Sequence, residues 1–136
     1  MYKHLLRPIL FRFNPETAHN LTLKCISLLR HIPFAQAIIR AIYKKESPSL
    51  EKEVFGIRFP NPVGLAGGLD KNGEYYNDMA NFGFGFVEIG SLTPLPQDGN
   101  AKPRCFRVPG DKALINRFGI NNKGVRNAVE HLKKVR

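Results

Sequence analysis

The sequence contains little of what metal sites, disulfide frameworks and exported proteins require. It has two cysteines among 136 residues, Cys25 and Cys105, and they lie far apart without a C-x-x-C spacing. Its four histidines form neither an H-x-x-H nor an H-E-x-x-H pattern. We therefore predict no metal site and no disulfide framework, and a reducing, cytosolic setting fits best. No apolar run approaches the ~20 residues of a membrane span and no signal-peptide pattern opens the chain, so neither membrane crossing nor export by that route is predicted.

Acidic residues are also scarce, above all in the first third of the chain. Residues 1–45 hold eight Lys or Arg against the single Glu16, a net charge of +7 within the total of +10. Apolar residues at helical spacing predict three helices there: one across Tyr2–Phe13, one from the N-cap Asn14 to about Arg30, and one from Phe34 to near Lys45. These helices either pack as a small bundle or lie in an anionic membrane interface. Nucleic acid is the weaker alternative, because the segment carries no helix-turn-helix or zinc-finger signature.

Residues 61–74 form the stretch around which the remaining sequence is organised. The apolar run Val63–Ala66 predicts a short buried strand that ends at Gly67-Gly68. Lys71 follows as a lone cation, before a short helix predicted at Tyr75–Asn81. This order predicts a βα unit whose chemistry lies at the carboxyl end of its strand. The glycine spacing fits neither a dinucleotide fingerprint nor a P-loop, so simple turn formation is the alternative explanation.

Further short elements follow, and small or hydroxylated residues again stand at a strand end. Phe86–Gly90 predicts a second buried strand, with Ser91 and Thr93 just beyond it. In a βα barrel the carboxyl ends of the strands carry the active site, and a helix-linked parallel pair is the natural arrangement. The other predictions are a polar connection and domain boundary at Ser47–Glu53, strands at Val54–Phe59, Arg104–Val108 and Ala113–Ile115, an amide-rich loop at Asn116–Asn122, and a helix from about Lys123 to Arg136 capped by Asn122.

Several long motifs in one order carry a family resemblance. They are Asn14-Pro-Glu-Thr-Ala-His19, the run from Asn61 to Lys71, Gly83-Phe-Gly-Phe-Val-Glu-Ile-Gly-Ser91, Lys102-Pro-Arg-Cys-Phe-Arg107, and Asn116-Arg117 with Asn121-Asn122. With these motifs the chain resembles dihydroorotate dehydrogenase, specifically the membrane-associated, quinone-linked class. The likeness covers essentially all 136 residues. It implies a (β/α)8 barrel that holds FMN, oxidises dihydroorotate to orotate, and passes electrons to a membrane quinone through a tunnel under the amino-terminal helices.

The resemblance also implies roles for individual residues. FMN would contact Ala66, Gly67, Gly68, Leu69, Asp70, Lys71 and Ser91. The substrate would contact Lys71, Asn116, Arg117, Phe118, Gly119 and Ile120. His19 and Arg107 would line the quinone tunnel. Two positions depart from the family's usual pattern: Ile120 stands where Phe is usual, which leaves the substrate pose open, and Ser91 replaces a common Thr while keeping the hydroxyl.

The implied organisation is a basic amphipathic helical module at 1–46 and the amino-terminal part of an FMN-binding βα barrel at 47–136. Because a (β/α)8 barrel takes about 250 residues, the catalytic base is expected beyond Arg136, with no catalytic residue in this chain. The chain alone is therefore expected to be inactive and loosely packed or poorly soluble, and to need a carboxyl-terminal barrel portion. A peripheral location on the cytoplasmic face of a membrane is expected. The alternative is a stand-alone membrane-surface module without catalysis.

Overall fold

The amino-terminal third is helical, as its sequence pattern predicts. The computed structural model describes residues 2–45 and 47–134. A π-helical turn, Tyr2–Leu6, leads into helix α1, Arg7–Leu10, and helix α2 spans Pro15–Leu28 with a 3-10 turn at Leu29–His31. Asn14 caps α2 because its Oδ1 accepts the backbone N–H of Glu16 at 3.0 Å. Helix α3 covers Ala35–Tyr43, so it ends two residues before the predicted Lys45.

The predicted strand at Val54–Phe59 is wrong, because this segment folds back on itself. After a 3-10 turn at Pro48–Leu50, strand β1, Lys52–Val54, pairs antiparallel with strand β2, Ile57–Phe59. Phe55 and Gly56 form the two-residue connection, and both have positive φ, at 53° and 76°. Two positive φ values are the requirement of a type I′ turn. The polar connection predicted at Ser47–Glu53 is correspondingly shorter, since β1 begins inside it.

One parallel βα unit follows, in agreement with the sequence. Strand β3, Gly64–Leu65, pairs in parallel with strand β4, Phe86–Val87, and the short helix α4, Tyr76–Ala80, lies between them along the chain. Both strands are shorter than predicted. Two further hydrogen bonds continue the pairing beyond them, from Gly85 N to Val63 O at 2.8 Å and from Glu88 N to Leu65 O at 2.9 Å.

The last third consists of a hairpin, a long loop and a helix. Strands β5, Cys105–Val108, and β6, Ala113–Asn116, pair antiparallel around the predicted turn. Helix α5 spans Val125–Lys133, and the predicted helix end at Arg136 lies outside the described residues. The predicted cap at Asn122 is wrong, because Gly124 occupies the N-cap position. The Asn122 side chain instead accepts the backbone N–H groups of Gly124 at 2.9 Å and Thr93 at 3.2 Å, which joins two loops.

The described part of the chain forms three two-stranded sheets and no closed barrel. Its buried apolar residues are few: Ala18, Leu23, Met79, Cys105 and Ala128. The accessible surface is 10122 Å², whereas a folded monomer of 15.4 kDa exposes about 7,200 Å². The excess lies on apolar side chains of the sheets as well as of the helices, such as Ile57, Leu114 and Ile115, which are each 57–59% exposed.

The helical segment carries much of the exposed apolar surface. Helix α3 buries none of its residues, and Phe34, Ile38 and Ile42 are 81%, 57% and 59% exposed. Within residues 2–45 and 47–134, no single helix is long and apolar enough to cross a membrane. The helices Pro15–His31 and Ala35–Tyr43, bent by 115° against each other, meet that length and composition only as a pair.

Candidate functional site

The carboxyl ends of β3 and β4 are joined by their main chains. Gly68 N donates to Gly90 O at 2.7 Å, and Gly90 N donates to Asp70 O at 3.0 Å. Gly68 has a φ of +98°, which favours glycine, and the position that a Cβ would take there is open space. The glycine pair therefore does more than end a strand. The pair forms a floor of backbone that is open at Gly68, whereas a Cβ at Gly67 would meet the Glu88 side chain at 3.4 Å.

Asp70 holds the loop that follows this floor. It is only 2% exposed, and its two carboxylate oxygens accept the backbone N–H groups of Glu74 at 2.9 Å and Tyr75 at 2.7 Å. A buried carboxylate needs such donors, because desolvation of an unpaired charge is costly. The side chain of Asp70, predicted as a cofactor contact, thus points to its own loop, and only its carbonyl belongs to the floor.

Lys71 lies beside the floor as the sequence predicts. Its Nζ donates to Gly68 O at 2.6 Å and lies 4.7 Å from the centre of the Phe118 ring. Burial lowers the pKa of the Lys71 ammonium below its usual value. An ammonium has three donors, and Gly68 O takes one of them. Lys71 is therefore a half-buried cation with donors available to an anionic group on the floor.

The amide-rich loop after β6 is held from the outside by Gln97. The two backbones of Gln97 and Asn122 exchange hydrogen bonds of 3.0 Å in both directions, and Gln97 Nε2 donates to the carbonyl oxygens of Gly119 and Ile120. Ile120 has a φ of 55°, which is uncommon for a β-branched residue. Backbone strain of this kind persists only where surrounding contacts impose it, and it concentrates at functional sites.

The floor and the loop line an open cavity of about 390 Å³, which we call the loop cavity. It contains residues from both predicted contact sets and brings together positions up to 53 apart in the chain. Its lining consists of Gly68, Lys71, Gly90, Ser91, Asn116, Phe118, Gly119, Ile120 and Asn121. Arg117, predicted as a substrate contact, is not in this lining. Its Nη2 donates to Pro103 O at 3.3 Å on the outer side of the loop.

A second cavity of about 680 Å³, which we call the helix cavity, lies between the floor and helices α1 and α2. Ala66, Gly67 and Leu69 line it together with His19 and Arg107, the two residues predicted for a quinone tunnel. Its lining is mainly apolar, with Leu10, Leu23, Ile26, Leu65, Met79 and Leu114 among its residues. Lys71 and Phe118 line both cavities and so stand between them.

The two polar residues of the helix cavity have different surroundings. Burial lowers the pKa of the His19 imidazole below its usual value, and the charge of Lys71 lowers it further. Arg107 donates to Phe13 O at 2.7 Å and to Leu10 O at 3.2 Å, and its guanidinium lies 4.4 Å from the centre of the Phe11 ring. Arg107 thereby ties the carbonyl end of α1 to β5, a role that its motif alone did not indicate.

Sequence reasoning missed the main ionic contact between the helical segment and the βα part. Arg104 is 6% exposed, and its Nη2 lies 2.7 Å from Glu16 Oε1. The two residues are 88 positions apart, and no local pattern distinguishes them from the other charged residues. The only signal available was the presence of each inside a longer motif, Asn14–His19 and Lys102–Arg107.

The residues at the floor fit a flavin. A planar ring system requires an open main-chain surface, which Gly68 provides, and the anionic edge of such a ring requires a nearby cation, which Lys71 provides. The hydroxyl of Ser91 and the amide of Asn116 add hydrogen-bonding groups on the loop-cavity side. No group of three His, Cys, Asp or Glu that would suit a metal ion occurs in the part of the chain that the structure describes.

Comparison with known proteins places this arrangement in a family. The family model for dihydroorotate dehydrogenase matches residues 49–136. The chain belongs to the dihydroorotate dehydrogenase family. It is 51% identical over 136 residues to a dihydroorotate dehydrogenase (quinone) from Cellvibrio japonicus, and 47% identical over 133 residues to one from Christiangramia forsetii. Those alignments cover 100% and 98% of this chain, but 38% and 39% of the relatives.

A solved structure shares the fold. A dihydroorotate dehydrogenase from Eimeria tenella in complex with ferulenol matches 89% of this chain and 30% of its own, at a TM-score of 0.74 and 39% identity. Members of this enzyme family are TIM barrels, so the predicted α/β fold class is confirmed. The chain spans less than two fifths of the length of these curated relatives, which agrees with its open sheets.

Proposed function

We propose that the chain supplies the amino-terminal part of a quinone-linked, FMN-dependent dihydroorotate dehydrogenase, an enzyme of pyrimidine biosynthesis that oxidises (S)-dihydroorotate to orotate. One observation carries this proposal beyond family membership. The loop cavity brings Gly68 and Ser91, from the cofactor set, within one small space with Asn116 and Phe118, from the substrate set, around the shared Lys71. FMN bound on the floor would accept two electrons from dihydroorotate and pass them to the quinone.

In this proposal the residues of the chain bind and orient the substrate and the cofactor. Lys71 attracts both the substrate carboxylate and negative charge on the cofactor, and its partial burial strengthens that attraction because the local dielectric is low. Asn116 offers donor and acceptor groups to the amide and imide edge of the pyrimidine ring. Phe118 and Ile120 supply apolar surface to the loop cavity, and Ile120 is 56% exposed. The proton acceptor of the oxidation is supplied outside this chain.

The helix cavity suits an apolar electron acceptor. Its lining is mainly aliphatic, it shares Gly68, Lys71 and Phe118 with the loop cavity, and His19 and Arg107 supply polar groups within it. We place the quinone there, with the exposed apolar residues of α3 and the basic charge of residues 1–45 directed to an anionic membrane surface. This arrangement corresponds to a peripheral protein on the cytoplasmic face, without a role for nucleic acid.

Reconstitution tests the enzymatic proposal. The chain is co-expressed with the carboxyl-terminal remainder of the Cellvibrio japonicus relative, and FMN content and dihydroorotate-dependent quinone reduction are measured. The assembled pair is expected to bind FMN and turn over, and the chain alone to do neither. Lys71→Gln should lower turnover about 100-fold, because it removes one electrostatic contact to the reacting groups. Lys52→Gln, at an exposed position in β1, is the matched control. A pair that assembles without flavin would refute the proposal.

A stand-alone membrane module is the second candidate, favoured by the absence of any buried residue in α3. Sedimentation with anionic and with neutral vesicles tests it on the isolated chain. Ile38→Glu in α3 should weaken binding to anionic vesicles. Ile57→Glu, at a position 59% exposed in β2 against 57% for Ile38, should not. Vesicle binding by a chain that never acquires flavin in the reconstitution would select this second function over the first.

A further inference from the structure

Arg104 is the most deeply buried cation among the described residues, and it stands outside both cavity linings. It directly precedes β5 and is 6% exposed. A buried guanidinium is tolerated only when its donors are satisfied, because an unpaired buried charge is costly. The contacts that satisfy it show what Arg104 holds together, and they divide between two separate parts of the chain.

The first set of contacts reaches helix α2. Arg104 Nε lies 3.1 Å from Glu16 Oε2, and Arg104 Nη2 lies 2.7 Å from Glu16 Oε1, so the two side chains form a bidentate ion pair. Glu16 sits in the first turn of α2, where a carboxylate also favours the helix end. Lys102 lies 3.5 Å from the same carboxylate, but its side chain is 68% exposed. Exposed pairs of that kind contribute little, so Arg104 is the main partner of Glu16.

The second set of contacts reaches the loop that carries Phe118. Arg104 Nη1 donates to Asp98 O at 2.6 Å and to Asn100 O at 3.0 Å. Asn100 in turn donates its backbone N–H to Phe118 O at 3.0 Å. The guanidinium carbon also lies 5.4 Å from the centre of the Phe118 ring, which Lys71 Nζ approaches to 4.7 Å. The Phe118 ring is therefore in contact with two cations.

We propose that Arg104 is a positioning residue that couples the seating of α2 to the placement of Phe118 and Lys71. When Glu16 engages the guanidinium, the guanidinium is fixed against loop 98–100 and under the Phe118 ring, and that ring fixes the Lys71 ammonium. The significance for substrate binding rests on the proposed function. The coupling itself requires neither flavin nor substrate, so the two can be tested apart.

The geometry requires arginine at this position. Arginine presents five donors in a planar fork, so it can bind a carboxylate with one edge, two carbonyl groups with another nitrogen and an aromatic ring with its face. Lysine keeps the charge but has one nitrogen and no planar face. Arg104→Lys therefore keeps the positive charge and removes the planar guanidinium. Glu16→Asp keeps both charges and shortens the carboxylate side chain by one methylene.

NMR of the Lys71 side chain gives the readout. The chain is labelled at lysine Cε, and the Lys71 εCH2 protons are expected to be shifted upfield by the Phe118 ring; Phe118→Leu removes the ring and identifies the signal. The measurement is made on the chain alone and on the chain assembled with the carboxyl-terminal part of the Cellvibrio japonicus relative. If the chain does not assemble with the carboxyl-terminal part, that result counts against the proposed function. The coupling can still be measured on the chain alone, so the two failures are distinguishable.

The expected result is that Arg104→Lys and Glu16→Asp each reduce the Phe118-dependent shift by more than half, while far-UV circular dichroism is unchanged. Lys102→Gln removes the exposed partner of Glu16 and should leave the shift in place. If Arg104→Lys does not fold, Glu16→Asp alone decides. Retention of the full shift in Glu16→Asp, or absence of a Phe118-dependent shift from the unsubstituted chain in both samples, would overturn the coupling.

Discussion

The isolated chain should not unfold as a single cooperative unit, and assembly with the remaining βα units should restore cooperativity. A 15.4 kDa chain exposes about 22,300 Å² when unfolded. With 10122 Å² still accessible after folding, this chain buries about 55% of that surface, against about 68% for globular proteins of this size and about 60% for a marginal domain of 60 residues.

The excess surface also predicts the size of the interface that would cover it. The chain exposes about 2,900 Å² more than a monomer of its mass should. If a partner buried an equal area of its own surface, the total buried area would reach or exceed the upper end of the roughly 2,000–5,000 Å² that obligate assemblies bury. The open edge of β6 and its exposed Leu114 and Ile115 are part of this surface.

Urea unfolding followed by circular dichroism, together with binding of a hydrophobic dye, measures the effect. The chain alone should give a broad transition and bind the dye strongly. The chain co-expressed with the carboxyl-terminal part of the Cellvibrio japonicus relative should give a steep transition and little dye binding. A sharp, cooperative transition of the chain as a monomer, without dye binding, would refute the reasoning from exposed surface.

Three local predictions are read by hydrogen exchange in the assembled pair. Gly83→Ala should speed exchange in α3 at least 10-fold, because its φ of +82° disfavours a side chain and its Cβ would lie 2.5 Å from Tyr43 O; Gly110→Ala, with open space and no positive φ, should not. Asp70→Asn should speed hydrogen exchange of the Glu74 and Tyr75 amides about 30-fold, because a hydrogen bond to a buried charge stabilises by about 2 kcal/mol. Unchanged exchange would show that these two bonds are dispensable. Because burial lowers the folded-state pKa of His19, protection of α2 should be full above the unfolded value of about 6.5 and fall as the pH drops below it; a profile identical in His19→Gln would contradict this assignment.

The features that the sequence predicted well are those set by neighbouring residues. Asn14 and Pro15 define the start of α2 because a cap and a proline act within one helical turn. The apolar runs around Gly64 and Phe86 likewise predict the parallel pair, since both strands are buried-type segments on either side of one short helix. Strand lengths were overestimated because Gly67 and Gly68 form a turn, and Gly68 and Gly90 have positive φ values of 98° and 109°. The ladder therefore stops, and single hydrogen bonds join the strand ends.

The missed features have long-range causes or unusual residues. The turn at Phe55-Gly56 escaped prediction because its first residue is a phenylalanine, whereas Asn or Asp is the usual signal for positive φ there. Asn122 was predicted as a cap because it precedes a helix, but it bonds to Thr93, which lies 29 positions away. The candidate site was predicted because its residues fall within family motifs. The contact of Arg117 with Pro103, away from the loop cavity, depends on the three-dimensional fold and has no local sequence signal.

The sequence separation of Glu16 and Arg104 also sets a delay between the synthesis of the two partners. Ribosomes add about 5–20 residues per second, so the 88 residues that separate these two partners take roughly 4–18 s to synthesise. Helix α3 ends at Tyr43, 61 residues before Arg104, so α2 and α3 are complete roughly 3–12 s before Arg104 is added. For several seconds a basic helical segment with exposed phenylalanine and isoleucine therefore exists without the guanidinium that Glu16 binds. If the proposed membrane association is correct, that delay is long enough for these helices to meet a lipid surface before β5 is made.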